Sequence, residues 1–145
     1  MKSTDLAYPA VFHAEAKGGY SVSFPGFPEA HTQGETEEEA FAMAVDCLHT
    51  AIEWRLEEKR DIPRATSTRR GQVSIPVALD LAPKLALWQI MQEQKISNVK
   101  LAVRLQVGEA VVRRMLDPKH ASRPEQYTRA FFALGAIPRF SLVRR

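Results

Sequence analysis

The sequence predicts an α+β protein, in which a small β-β-β-α-β domain precedes an all-α domain with a helix-turn-helix and a short terminal strand. First, Tyr20, Val22 and Phe24 alternate with serines, as in a half-buried strand. Second, apolar residues recur at helical spacing between residues 37 and 59, and again throughout the stretch beyond residue 80. Third, the two halves differ in charge. These observations place the domains at residues 1–78 and 79–145.

The N-terminal strands are predicted from short aromatic and β-branched runs. Residues 6–13 and 19–24 form two such runs around a turn, which predicts a β-hairpin. Pro25, Gly26 and Pro28 are expected to stop the second strand, and residues 30–33 predict a short third one. Residues 73–77 predict another strand, in which Pro76 favours an edge or terminal position.

A long helix is predicted between the third and fourth strands. Thr36 and Glu39 have the spacing of a capping box, so the helix should begin there and run to about Lys59. One stripe is apolar and is expected to face the sheet, namely Phe41, Ala44, Val45, Leu48, Ile52 and Leu56. The opposite stripe is mostly acidic and comprises Asp46, His49, Glu53 and Glu57. The polar residues 61–72 that follow predict a loop or linker before the last strand.

The C-terminal half predicts four helices. Apolar residues from Leu81 to Met91 indicate the first, and Ser97 is the expected N-cap of the second. Residues 106–108 form a tight turn and residues 109–116 the third helix. Ser122 with Glu125 predicts a capping box that opens the fourth helix, which Gly135 ends. Residues 139–143 alternate in polarity and predict a terminal strand.

The second and third of these helices predict a helix-turn-helix. Ala102 allows close helix approach, Val107 fills the turn and Val112 packs inward. The outer face of the third helix would then reach base edges, through Glu109, Ala110, Val111, Arg113 and Arg114. An arginine would contact guanine, Glu109 cytosine, and Val111 a thymine methyl. Flanking residues suit phosphate contacts, namely Lys100, Gln106, Lys119, His120 and Arg123. Gln106 should be left-handed, a conformation that favours glycine.

The charge distribution supports a nucleic-acid partner for the second half. The formal net charge is only +3, but residues 1–70 carry 8 Lys and Arg against 12 Asp and Glu, whereas residues 71–145 carry 12 against 5. A basic domain that contains a helix-turn-helix is typical of DNA binding. The alternative is a plain four-helix domain with solvated arginines.

Other classes of function find little support in the sequence. Cys47 is the single cysteine and is expected to be a small buried thiol. No apolar run predicts a membrane span or signal peptide, so a cytoplasmic location is expected. The predicted strands carry no interior carboxylates for a two-metal nuclease site. Asp46, His49 and Glu53 could ligate a metal on one helix face, although surface charges explain them as well. We therefore expect no catalysis and no cofactor.

The chain resembles the HicB-type antitoxins of toxin–antitoxin systems over nearly its whole length, in the branch with a C-terminal helix-turn-helix, and the resemblance is strongest from Tyr8 to Ala40. The resemblance rests on Tyr8, Pro9, Phe12, the stretch 18–20, Val22, Phe24, Pro25, Pro28, the stretch 32–34, and Thr36 to Ala40. It implies a partial ribonuclease-H-like domain that blocks a HicA-type mRNA-cleaving toxin, and a second domain that represses the operon by binding its operator DNA.

Two expectations follow from this resemblance together with the residues. A toxin that binds RNA must be basic, so acidic residues of the long helix are the candidate toxin contacts, namely Glu37, Glu38, Asp46, Glu53 and Glu57. A homodimer is expected through the fourth helix and the terminal strand, because one recognition helix covers only a half-site. The alternative is a stand-alone repressor whose N-terminal domain senses a small molecule or dimerises.

Overall fold

The computed structural model describes residues 3–144 and confirms the α+β class, with one antiparallel sheet and five helices in the described part of the chain. The chain divides between Ala82 and Pro83 into two compact units. Each unit has its own core and is described by itself.

The first unit has the predicted order of elements. Its strands are β1 (Ala7–Ala14), β2 (Tyr20–Phe24), β3 (Phe27–Gly34) and β4 (Gln72–Pro76), and its helix is α1 (Glu37–Glu57). The strand order is β3-β2-β1-β4, so β3 and β4 are the two edges. Helix α1 packs mainly along β3. The prediction for Pro76 is confirmed, since it ends an edge strand.

Strand β3 is longer than the sequence indicated. It starts at Phe27 and contains Pro28, which was expected to lie outside a strand. An edge strand has hydrogen-bond partners on one side only, so a proline whose missing N–H would face away from β2 is tolerated. The pairing register shifts at Ser23 and Phe24, which marks a β-bulge beside the Pro25–Gly26 turn.

Three glycines of the first unit meet backbone requirements that other residues meet poorly. Gly18 and Gly19 have φ of 95° and 78° in the β1–β2 turn. A Cβ on Gly34 would overlap the backbone nitrogen of Ala40 and come within 2.6 Å of its Cα, so only glycine lets the start of α1 pack on the end of β3. Ala40 is fully buried there. The helix begins as predicted, since the Glu39 N–H donates to Thr36 Oγ1 at 3.1 Å.

The loop between α1 and β4 is anchored to the first unit. Ile62 is buried, and the Tyr8 hydroxyl donates to the Pro63 carbonyl at 2.7 Å. The Tyr8 ring in turn packs edge-on against Phe27, with ring centroids 5.0 Å apart. The polar stretch predicted as a loop or linker is therefore a loop whose first residues belong to the core.

The helices of the second unit are α2 (Ala82–Gln94), α3 (Asn98–Leu105), α4 (Glu109–Leu116) and α5 (Pro124–Ala133). The Ser97 cap is confirmed, since its Oγ accepts from the Lys100 N–H at 3.2 Å. The core contains, among other residues, Leu87, Leu101, Ala102, Val112, Met115, Ala130 and Phe131.

Two predictions about the C-terminal elements were wrong. Helix α5 begins at Pro124, not at a Ser122–Glu125 box; proline lacks an N–H and favours the first helical position, and the Arg123 N–H donates to the Gln126 side chain at 3.3 Å. The predicted terminal strand is not formed: residues 136–144 carry no regular structure. A strand needs a neighbour to pair with, and the sheet of the described chain contains only β1 to β4.

Candidate protein-binding and DNA-binding surfaces

The acidic candidates on α1 fall into two groups. Asp46, Glu53 and Glu57 are spaced by seven and four residues and share the face opposite the buried one. Glu37 and Glu38 are exposed in the first turn of α1 and do not share that face. We call Asp46, Glu53 and Glu57 the acidic stripe. The structure thus brings together three of the five predicted residues.

The middle of the acidic stripe includes a histidine. His49 Nε2 lies 3.7 Å from Glu53 Oε2, and His49 Nδ1 lies 4.0 Å from Asp80 Oδ1. Among residues 3–144, no group of three or more His, Cys, Asp or Glu side chains is arranged to hold a metal ion. The metal alternative for Asp46, His49 and Glu53 therefore finds no support in their geometry.

A groove beside the stripe was not predicted. It lies between β3 and one flank of α1, has a volume of about 420 Å³, and is lined in part by Ala30, Thr32, Met43, Cys47, Thr50 and Trp54. Met43 and Trp54 are large apolar residues that stay 41% exposed. The sequence carried a signal for it, since apolar residues at 43, 47 and 54 form a second stripe on α1 at helical spacing.

One end of this groove is held by an ion pair. Arg55 donates through Nε and Nη2 to the two carboxylate oxygens of Glu29, at 2.7 and 2.9 Å. These bonds lower the pKa of Glu29. The guanidinium also lies 4.7 Å from the centre of the Phe27 ring. Burial, with a smaller contribution from Glu29, raises the pKa of Cys47, whose Sγ lies 3.6 Å from the His31 carbonyl oxygen.

In the second unit, α3 and α4 are joined by the three-residue turn 106–108. Gln106 is left-handed, with φ of 56° and ψ of 44°, as expected. Ala102 and Val112 are buried at the positions that the helix-turn-helix spacing requires, and Val107 packs against the same core.

The outer face of α4 is formed by fewer residues than predicted. Ala110, Arg113 and Arg114 point away from the core side that Val112 and Met115 occupy. Val111 was predicted to meet a base, but it is half-buried and packs against the core cluster, because it lies beside that core side of the helix. Its side chain is only partly accessible, and its contact with a base stays a prediction.

Both arginines of this face have local partners. Arg113 is 67% exposed and its Nη1 lies 3.1 Å from Glu109 Oε2, one helical turn earlier. The Arg114 Nε donates to the Ala110 carbonyl at 3.2 Å. Such exposed contacts are weak and can be exchanged for contacts to a ligand.

The flanking residues lie at several elements. Lys100 is exposed in the first turn of α3, and Lys119 is exposed after α4. His120 is half-buried, and its Nδ1 lies 3.3 Å from Ser122 Oγ. Arg123 is exposed before α5 and its Nη1 lies 3.6 Å from Glu125 Oε1.

A buried lysine fixes the far end of α4, and the sequence pattern did not indicate it. Lys84 is 4% exposed, and its Nζ donates to the Met115 carbonyl at 3.2 Å and to the Tyr127 hydroxyl at 2.8 Å. The Tyr127 hydroxyl donates to the same carbonyl at 2.8 Å. A cation beside the last carbonyls of a helix complements its dipole. This network joins α2, α4 and α5.

A family model and several relatives agree on one family. Residues 7–86 match the model of the HicB-like antitoxin of bacterial toxin–antitoxin systems. Antitoxin HicB 1 of Photorhabdus laumondii is 34% identical over 131 residues, which are 90% of this chain and 83% of the relative. Antitoxin HicB of Escherichia coli K12 is 33% identical over 130 residues, 90% and 94% of the two chains. The crystal structure of the Burkholderia pseudomallei antitoxin HicB covers 77% of this chain and 95% of its own, with 19% identity and a TM-score of 0.43.

No helix among the described residues combines the length and apolar character needed to cross a membrane.

Proposed function

Because the chain belongs to the HicB family of antitoxins, we propose that its first unit neutralises a HicA-type mRNA-cleaving toxin and that its second unit represses the shared operon. The acidic stripe of Asp46, Glu53 and Glu57 carries the first part of this proposal. It lies on the face of α1 away from the sheet, in a half of the chain where acidic residues outnumber basic ones.

The physical argument concerns the substrate of the toxin. A ribonuclease that grips the RNA backbone needs a cationic surface, because phosphate contacts supply most of the affinity. An acidic helix face is complementary to such a surface, speeds association and competes with RNA for the same side chains. The mechanism requires only occupation of the RNA-binding surface and no chemistry by this chain.

Co-expression with the neighbouring reading frame tests the proposal. If that frame encodes a HicA-type toxin, we expect the two full-length proteins to co-purify and this chain to restore growth. Asp46→Lys with Glu57→Lys should weaken the affinity by about 10- to 100-fold, because like charges then face each other. Glu15→Lys, an exposed reversal in the β1–β2 turn, is the matched control and should bind as wild type. A toxin that neither co-purifies nor loses toxicity would refute the proposal and favour a stand-alone repressor.

The proposal for the second unit rests on α4. Ala110, Arg113 and Arg114 form its outer face, and the turn before it contains the left-handed Gln106. A helix-turn-helix would present this face to the major groove. Lys100, Lys119 and Arg123 would contact phosphates. An electrophoretic shift with the promoter of the pair tests this, and failure to bind at low salt would contradict it.

We propose that the second unit also dimerises, because it leaves apolar side chains in solvent. The residues concerned are Phe132, Ile137, Phe140, Leu142 and Val143, which are 60–91% exposed. Tails of two copies could pair as strands and supply the neighbour that a single copy lacks. Ultracentrifugation should show a dimer for wild type and for the control Val99→Asp in α3, and a monomer for Phe140→Asp with Leu142→Asp. A monomeric wild type at micromolar concentration would exclude the dimer.

A further inference from the structure

The groove between β3 and α1 has the composition of an anchor site for another protein. Trp54 and Met43 each remain 41% exposed at its surface, although both are large apolar residues. Tryptophan is enriched among the residues that dominate binding energy, and methionine adapts to irregular partners. Thr50 and Ala51 also line the groove, and their small side chains leave space for a side chain from outside.

The strand that borders the groove has an open edge. Strand β3 pairs with β2 on one side, and within residues 3–144 it has no strand on the other. Proteins protect such edges with prolines, bulges or charges. Here Pro28 and the bulge lie at the start of β3, whereas Ala30 to Gln33 is free of proline. The His31 carbonyl in this stretch accepts from Cys47 Sγ at 3.6 Å, a weak bond that an added strand could replace.

The acidic stripe beside the groove identifies the occupant. Asp46 lies at one side of the groove and belongs to the acidic stripe, whereas Glu29 at the other side is paired with Arg55, and the Arg60 guanidinium lies 4.6 Å from the centre of the Trp54 ring. A second copy of this chain would bring a second acidic stripe toward Asp46, which is unfavourable. A cationic partner would be attracted, and the ribonuclease of the proposed function must carry such a surface.

We propose that the groove receives an extended segment of the HicA-type toxin, which pairs with the edge of β3 and places an apolar or a lysine or arginine side chain against Trp54 and Met43. The stem of such a cationic side chain would lie on the apolar wall while its charged end reaches Asp46. This inference rests on the proposed function, and it places the contact beside the acidic stripe and along one specific strand.

Calorimetric titration of the full chain with the toxin encoded beside it tests the inference. Trp54→Ala should weaken the affinity by about 10- to 100-fold, as expected for a central tryptophan. Thr50→Arg, at an exposed helix position, should weaken it similarly because it fills the groove and adds a like charge opposite the cationic segment. Leu79→Ala is the control, since Leu79 is 71% exposed and does not line the groove.

Cys47 provides a second readout that does not depend on a substitution. It lines the groove and is the only cysteine of the chain, so alkylation can be followed on its peptide by mass spectrometry. Bound toxin should slow alkylation at least about 10-fold, because a buried interface core excludes solvent and reagent.

The outcomes separate the two claims. If wild type binds the toxin while Trp54→Ala and Thr50→Arg bind within about twofold of it, and Cys47 stays equally reactive, the groove inference is overturned and the proposed function stands. If the toxin does not bind wild type at all, the proposed function fails and the groove inference fails with it. If the groove variants change the oligomeric state of this protein alone, a second copy occupies the groove and the inference is overturned.

Discussion

Replacing Tyr127 by phenylalanine should destabilise the second unit far more than the loss of one hydroxyl suggests. The hydroxyl donates to the Met115 carbonyl at 2.8 Å and accepts from Lys84 Nζ at 2.8 Å. Its removal takes one partner from a buried carbonyl and one from a buried ammonium. Each under-satisfied buried group costs about 1–3 kcal/mol, and the ammonium lies toward the upper end. The carbonyl keeps its bond from Lys84, so we expect a total of about 2–4 kcal/mol.

Tryptophan fluorescence during urea denaturation measures this change. The chain has two tryptophans, Trp54 in the first unit and Trp88 in the second, so Trp54→Phe leaves a probe of the second unit alone. In that background, Tyr127→Phe should lower the free energy of unfolding by the amount above. Adding Lys84→Met should recover part of the loss, because a buried charge that has lost a partner costs more than an apolar side chain. A loss under about 0.5 kcal/mol, or no recovery in the double variant, would refute this reasoning.

Three further predictions concern single sites. Gln106→Gly should stabilise the second unit by about 0.5–1 kcal/mol in urea denaturation, since it relieves left-handed strain, while Gln106→Ala should not; equal stability of the two variants would contradict this. The Arg55 pair lowers the pKa of Glu29 in the folded state, so its stabilisation is present above about pH 4.5 and is lost as the pH falls further; Glu29→Gln should abolish that component of the acid dependence, and an unchanged dependence would exclude it. Arg113→Ala or Arg114→Ala should each weaken operator binding by about 1–3 kcal/mol without changing toxin affinity. If both variants bind the operator as tightly as wild type, the placement of α4 in the major groove of DNA is refuted.

The features that the sequence predicted well depend on local hydrogen bonds. The caps at Thr36 and Ser97 each satisfy a backbone N–H three residues away, and the left-handed turn at Gln106 follows from the spacing of two short helices. Helix α4 has no side-chain cap, but its predicted bounds are correct because the turn before it and Asp117 with Pro118 after it are also local signals. Such signals lie within a few residues and need no knowledge of the fold.

The errors at element ends arose where two local signals competed. Ser122 and Pro124 both mark helix starts, and proline prevails because its ring fixes φ at the first helical position. Pro28 was assigned to a turn because its tolerance in β3 depends on the strand being an edge, which only the sheet order reveals. The tail has the alternation of a strand, but alternation cannot supply a pairing partner.

The surfaces needed tertiary information. The period of α1 predicted which face is acidic, but the groove exists because α1 packs along an edge strand instead of the middle of the sheet. Val111 was predicted on the outer face of α4, but it packs partly against the core. How much of this helix is covered depends on the packing of α3 and α5, which the spacing of residues in α4 does not reveal. From the sequence alone a lysine is expected at the surface. The burial of Lys84 depends on hydrogen bonds to residues of α4 and α5 that the sequence does not bring together.

The most direct test of the account is the ribonuclease activity of the purified neighbouring toxin, titrated with this full-length protein. We predict that RNA cleavage falls to background near stoichiometric addition, and that the Asp46→Lys, Glu57→Lys variant requires at least about 10-fold more protein, while Glu15→Lys matches wild type. Cleavage that persists at a large excess of wild type would contradict the central claim that the acidic face of the first unit blocks a basic ribonuclease.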